Sequence, residues 1–252
     1  MSTGSSSSPL VVGFPLYEDC TLLDFGGATQ VFAFAGGKFK PVWLSLGGPQ
    51  QPIRTSEGVE VRAGYAFDDP ARPRLDIVFV PGGGAGVYEP KKKSVSGVVG
   101  AMLDPAFQKF IVTASQEAQW TGSVCVGAFI LAAAGLLDGC EATTYWSQLE
   151  NLALFPQVTV APGFPRYIID FQARRFTGGG VSSSIDLALE LVLYFNGITA
   201  ADQAQLSIQY APDPPVRSGD PGQAPPQVTA SVIEDQLTSF IAPIRKAVKR
   251  IV

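Results

Sequence analysis

Two short apolar runs, Leu10 to Phe14 (LVVGF) and Leu75 to Val80 (LDIVFV), constrain the fold most. Each is too short for a helix and lacks the alternation of a half-exposed strand, so each predicts a strand buried on both faces. Pro41 to Leu46, Gln119 to Val124, Thr143 to Trp146, Val158 to Ala161 and Tyr167 to Arg174 are further strand-like stretches, and Ile53 to Phe67 suits a hairpin turning at Glu57-Gly58. Strands covered on both sides need helices between them. Leu23 to Ala35 can form one, stopped by Gly36-Gly37. Asp104 can cap a second, with Pro105 at its first position and an end near Ala118. Gly127 to Leu137, Leu149 to Phe155, Ser182 to Phe195 and Ala200 to Tyr210 continue the series. Ile185, Leu189 and Val192 share one face of the third of these, and Ser182, Ser183 or Ser184 can cap it. The alternation predicts an α/β fold with a mostly parallel central sheet, whose ligands sit at the C-terminal ends of its strands.

The 252 residues, 46% of them hydrophobic, suffice for one domain with a sizeable core. Met1 to Ser8 is Ser-rich and uncharged, without the pattern of a secretory signal, and is expected to be a disordered tail. The α/β domain is expected over residues 9–212. Residues 213–252 would then be a Pro-rich segment and an amphipathic helix, Val228 to Val252, packing on the domain or on a partner subunit. Lys246, Lys249 and Arg250 suit the C-terminal end of that helix. Net charge is −4 with no sustained basic patch, which disfavours nucleic acid and anionic membranes as partners. The Lys91-Lys92-Lys93 cluster lacks interleaved aromatics and is expected to be a solvated loop. No apolar run reaches the length of a bilayer span. The odd count of three cysteines favours free thiols in a reducing compartment, so a cytoplasmic location is expected.

The chain has no histidine. A Cys-His or Ser-His pair within it is impossible, as is a His-ligated metal, and no clustered cysteine spacing suggests zinc. Any base must be a carboxylate, Lys, Tyr, water or a partner chain. Cys125, in Gly122-Ser-Val-Cys-Val-Gly127, lies between a short strand and an apolar helix, the layout of a nucleophile elbow. The helix N-terminus there would favour the thiolate, although a buried structural cysteine fits the same position. Pro81-Gly-Gly-Gly84 ends a buried strand, where glycine N–H groups can approach a ligand and join the N–H after Cys125 in an oxyanion hole. An ordinary turn has the same composition, and the spacing of a dinucleotide fingerprint is absent. Asp24 is either a helix N-cap or a carboxyl with a raised pKa, able to move protons. Cys20 and Cys140 lack such a setting and are expected to be bystanders.

Taken in order, Phe14-Pro-Leu-Tyr17, Leu22-Leu-Asp-Phe-Gly26, Val80-Pro-Gly-Gly-Gly84 and Ser123-Val-Cys-Val-Gly127 with Ala133-Ala-Gly-Leu-Leu137 resemble the DJ-1/PfpI superfamily. Ala142-Thr-Thr-Tyr-Trp146, Phe176-Thr-Gly-Gly-Gly180 and Gln205-Leu-Ser-Ile-Gln-Tyr-Ala-Pro212 extend the likeness, which is nearest to the isocyanide hydratase branch. The resemblance implies a single-domain, flavodoxin-like three-layer sandwich, commonly a homodimer, acting without a cofactor or metal. It implies Cys125 as nucleophile, Asp24 as acid/base, and the N–H groups of Gly83 and Val126 as an anion pocket, with Gly84, Trp146 and Gly179 in the substrate pocket. The implied reaction adds water to a small-molecule isocyanide through a Cys125 thioimidate, giving an N-substituted formamide.

Three features depart from that pattern. Val126 stands where isocyanide hydratases typically have Thr, Tyr145 stands where relatives often have His, and Glu89 to Gly97 is inserted after the Gly-rich turn. Peptidase and glyoxalase members pair the cysteine with a histidine that this chain lacks. The alternatives are a divergent enzyme of specialised metabolism with another substrate and a non-catalytic cysteine redox or stress sensor. A transcriptional regulator would need an added helix-turn-helix domain, and the Pro-rich stretch with one helix after Pro212 does not suggest one.

Overall fold

The computed structural model describes residues 8–89 and 95–252. The expected tail, but for Ser8, and the Lys91 to Lys93 cluster lie outside the described residues. The strands in chain order are β1 (Leu10–Pro15), β2 (Phe39–Ser45), the hairpin pair β3 (Pro52–Arg54) and β4 (Glu60–Arg62), β5 (Tyr65–Ala66) and β6 (Ile77–Val80). They continue with β7 (Trp120–Ser123), β8 (Glu141–Ala142), β9 (Thr159–Val160), β10 (Tyr167–Asp170) and β11 (Arg175–Gly178). Seven form the central sheet, in the order β10-β11-β7-β6-β1-β2-β5. Every neighbouring pair in it is parallel except β10 with β11. All four residues of β6 and of β7 are buried, as strands covered on both faces must be.

The helices are α1 (Leu22–Ala33), α2 (Gly97–Leu103), α3 (Pro105–Glu117), α4 (Gly127–Ala133), α5 (Leu149–Leu152), α6 (Ser183–Asn196), α7 (Ile198–Ser207), α8 (Pro226–Gln236) and α9 (Ala242–Val248). One layer holds α1, α6 and α7 in mutual contact, and the other holds α2, α3 and α4, with α5 and α9 against them. Between the layers Phe79 meets Phe14 at a centroid distance of 5.4 Å and Phe176 at 5.2 Å, and both partners are fully buried. The result is a flavodoxin-like three-layer α/β sandwich in a single domain.

The structure corrects the expected elements in several places. Thr143 to Trp146 is not a strand: the strand is Glu141–Ala142, and a 3-10 turn begins at Trp146. Arg175–Gly178 is a strand, although its Gly-rich end resembles a turn. Gly97–Leu103 is a helix in a stretch to which the sequence reading assigns no element. The C-terminal helix is not continuous. It breaks into α8 and α9 around a π-helical turn, Leu237–Ile241, with Pro243 just beyond. No serine side chain caps α6. The Asp104 cap is present, with Oδ1 accepting from Phe107 N–H at 2.8 Å.

Candidate active site

β1, β6 and β7 are adjacent parallel strands, so the segments leaving their C-terminal ends meet at one edge of the sheet. Asp24 follows β1, Gly82 follows β6 and Cys125 follows β7. The chain order reverses beside β1, which is where open α/β sheets form a ligand crevice.

Cys125 has φ +55°, the left-handed region that side chains other than glycine enter at a cost of roughly 1–2 kcal/mol. Hydrogen bonds hold it there. Its N–H is shared between the carbonyls of Gly178 and Gly179 at 3.1 and 2.9 Å, and its own carbonyl accepts from Thr144 Oγ1 at 2.8 Å. The turn also requires Gly127, because a Cβ there would lie 2.5 Å from the Val80 carbonyl oxygen. The elbow geometry inferred from Gly122 to Gly127 is therefore present, and it is clamped by Thr144, which the sequence alone does not single out.

Asp24 is fully buried and is not the cap of α1: that position is Thr21, and Asp24 lies in the first turn. Its Oδ2 accepts from Gly82 N–H at 2.7 Å, while Oδ1 has no partner among the described residues. Gly82 separates acid from thiol. A Cβ built on it would lie 2.8 Å from Cys125 Cβ, 2.8 Å from Val126 N and 2.9 Å from Asp24 Oδ2. The cysteine and the carboxyl thus face each other across one glycine.

Burial pushes the pKa of Asp24 well above the usual carboxylate range; the Gly82 N–H opposes that rise and the charge of Glu57 adds to it. Burial likewise raises the Cys125 thiol, the nearby Asp24 carboxyl raises it further, and the Val126 N–H acts the other way. The expected stabilisation of a thiolate by the helix N-terminus is outweighed, because α4 is a seven-residue helix and the sulfur has almost no contact with water. Both groups therefore hold their protons to a higher pH than they would in water. Tyr17 is also fully desolvated, donates its hydroxyl to the Pro81 carbonyl at 3.0 Å, and has its pKa raised by that burial.

Among the glycines after β6, Gly82 touches both reacting groups, and it is not one of the two that sequence reasoning selects. Gly83 faces the Asp19 carbonyl and Cys20, and its N–H has no acceptor among the described residues. The Gly84 N–H is taken by the Asp19 carbonyl at 2.9 Å, so it is not free for an anion. Trp146 and Gly179 line a cleft of about 810 Å³ beside the elbow, bounded also by Leu23, Thr144 and Arg166. Cys125 itself is not a wall of that cleft. Among the described residues no cluster of carboxylates and cysteines could hold a metal ion, and no helix is long and apolar enough to cross a membrane.

A cysteine in strained backbone between a parallel strand and a helix, opposed by a buried carboxyl that follows β1, the next strand but one, defines an α/β protein with a thiol-acid centre. Comparison with known proteins makes the class specific. Residues 11–192 match the model of the DJ-1/PfpI family. The chain is 34% identical to the isonitrile hydratase of Pseudomonas putida, over 94% of this chain and 92% of the relative. It superimposes with a TM-score of 0.82 on a ThiJ/PfpI family protein from Pseudomonas syringae, 27% identical, covering 98% and 97% of the two chains. It is also 24% identical to the HTH-type transcriptional regulator GbdR of Pseudomonas aeruginosa, over 73% of this chain and 46% of that protein. The chain belongs to the DJ-1/PfpI family.

Proposed function

We propose that this protein hydrates isocyanides to N-substituted formamides, with Cys125 as nucleophile and Asp24 as the group that moves protons. The placement of Gly82 between a strained cysteine and a buried carboxyl carries the reading. Likeness to an isonitrile hydratase over nearly the whole chain supports it.

The terminal carbon of an isocyanide must gain both a proton and a nucleophile. Asp24 supplies a proton to that carbon from Oδ1, the oxygen with no other partner among the described residues, and takes the thiol proton as Cys125 sulfur adds to the same carbon to form a thioimidate. Asp24 next protonates the imidate nitrogen and, now a carboxylate, takes a proton from water as the oxygen adds to the carbon. The hydroxyl proton of that adduct passes to sulfur as the carbon–sulfur bond breaks, and the formamide leaves with Cys125 and Asp24 in their starting states. The N–H groups of Gly83 and Val126 face the charge that develops during addition. Val126 cannot provide the hydroxyl expected at its position, so the Val126→Thr variant is expected to hydrate faster. Asp24 acts while protonated, so turnover should hold at low pH and fall as pH rises through its raised pKa.

The test is incubation with cyclohexyl isocyanide and detection of N-cyclohexylformamide. No product from the native protein would end the assignment, and product that survives Cys125→Ala would end the mechanism. The same burial argues against a redox sensor, because sensing thiols are exposed and acidic whereas Cys125 is 4% exposed with a raised pKa.

A further inference from the structure

The cleft beside the elbow is larger than a small isocyanide needs. At about 810 Å³ it is the size of a pocket for a drug-sized ligand, whereas cyclohexyl isocyanide would fill a small part of it. We infer that this cleft binds a neutral, aromatic N-substituent, so that the preferred substrate is a bulky aryl isocyanide rather than a small aliphatic or an anionic one. The inference rests on the hydration reading for the reaction but stands on the cleft for the ligand class.

Three observations carry it. The first is continuity with the thiol. Thr144 and Gly179, both in the cleft wall, hydrogen-bond the backbone of Cys125, and Leu23 in the same wall precedes Asp24. A ligand seated there lies against the residues that position sulfur and acid. The isocyano group is a slender linear rod, and in this arrangement it reaches past these residues toward the sulfur while the wide substituent stays in the cleft. The second is the character of the walls. Tyr145, Trp146, Leu149 and Phe164 present rings and an aliphatic chain, with Tyr145 and Trp146 tilted against each other at a centroid distance of 5.9 Å. Such surfaces favour a flat ring over an extended polar chain.

The third is charge. Arg166 donates from Nε and Nη2 to Asp186 Oδ2 and from Nη1 to Ser182 Oγ, and Tyr210 donates to Asp186 Oδ1 at 2.9 Å. The guanidinium is thus already matched to a carboxylate. Asp220, also in the wall, takes backbone and amide donors from Gly222 and Gln223 and no cation among the described residues. The charged side chains of the lining, Arg166, Asp186 and Asp220, sum to one negative charge, which opposes a carboxylate on the substrate and leaves a polar rim for a neutral group.

The test uses both turnover and binding. Turnover of naphthyl isocyanide, cyclohexyl isocyanide and isocyanoacetate is measured on the native protein and on Trp146→Ala. Binding of N-naphthylformamide, N-cyclohexylformamide and N-formylglycine to Cys125→Ala is measured by calorimetry. The naphthyl compounds should be favoured over the cyclohexyl ones by at least about tenfold, with the anionic compounds weakest, and Trp146→Ala should erode the naphthyl-to-cyclohexyl ratio. Equal affinity for the naphthyl and cyclohexyl formamides, or a ratio that Trp146→Ala leaves unchanged, would overturn the inference. The expected binding order without turnover of any isocyanide supports the ligand class and defeats the hydration reading instead.

Discussion

Among the described residues Asp24 pairs with nothing charged, yet it is fully buried with one carboxyl oxygen unpartnered. The folded chain therefore holds its proton to a higher pH than the unfolded chain, whose carboxyl titrates near the ordinary value of 3.8. The stability tied to that proton is complete below the unfolded value and is lost as pH rises through the folded one, with a slope of at most about 1.4 kcal/mol per pH unit. Asp24→Asn keeps the Gly82 hydrogen bond but cannot titrate. Its stability relative to the native protein should rise with pH in denaturant titrations, while formamide production falls by about a hundredfold or more. Gly82→Ala tests the neighbouring contact. A methyl group 2.8 Å from Val126 N and Cys125 Cβ meets backbone that cannot yield easily. It should cost about 1–3 kcal/mol by chemical denaturation and at least about a hundredfold in turnover. Sequence reasoning found the glycine tripeptide after β6 but did not single out Gly82, the residue that meets both Cys125 and Asp24. Composition shows that a backbone can come close, but the register of β6 against β1 and β7 decides which residue does.

At the scale of elements, the broken C-terminal helix clamps one wall of the cleft. Gln236, the last residue of α8, donates to the Tyr145 hydroxyl at 3.1 Å and accepts from Ser147 Oγ at 2.8 Å. Phe240, in the π-helical turn, packs edge-on against Tyr145. Further along, Asn151 donates to the Ile241 carbonyl at 3.0 Å and accepts from Arg245 Nε at 2.7 Å, and Ile244, Ala247 and Val248 of α9 are buried. Gln236→Ala should therefore raise KM for a bulky isocyanide with little change in thermal midpoint. Ile244→Ala should lower stability by about 2–5 kcal/mol, read by denaturant unfolding. The amphipathic pattern after Val228 revealed a helix, whereas the break depends on contacts with Tyr145 and Asn151 that lie about ninety residues earlier in the chain. Helix α2 escaped sequence reading for another reason. Six of its seven residues are buried, so it shows no polar face from which a period could be read.

For the whole molecule, the alternation of buried runs with helices was enough to specify a parallel sheet and the edge at which its site would form. Parallel strands place the ends of β1, β6 and β7 together whatever the loops contain, so the segments that carry Cys125 and Asp24 could be placed at one edge from their order. Thr144 could not be found in this way, because its hydroxyl reaches Cys125 from an irregular turn with no periodic signature. The burial of the thiols has a practical consequence for labelling. All three cysteines are free and buried, so a bulky disulfide reagent should register three thiols only after the chain is unfolded. For Cys125, selectivity is then governed by the width of the reagent more than by the acidity of the sulfur. A thin, uncharged electrophile is therefore expected to tag the native protein faster than a broad alkylating group does, read by mass spectrometry of the labelled chain.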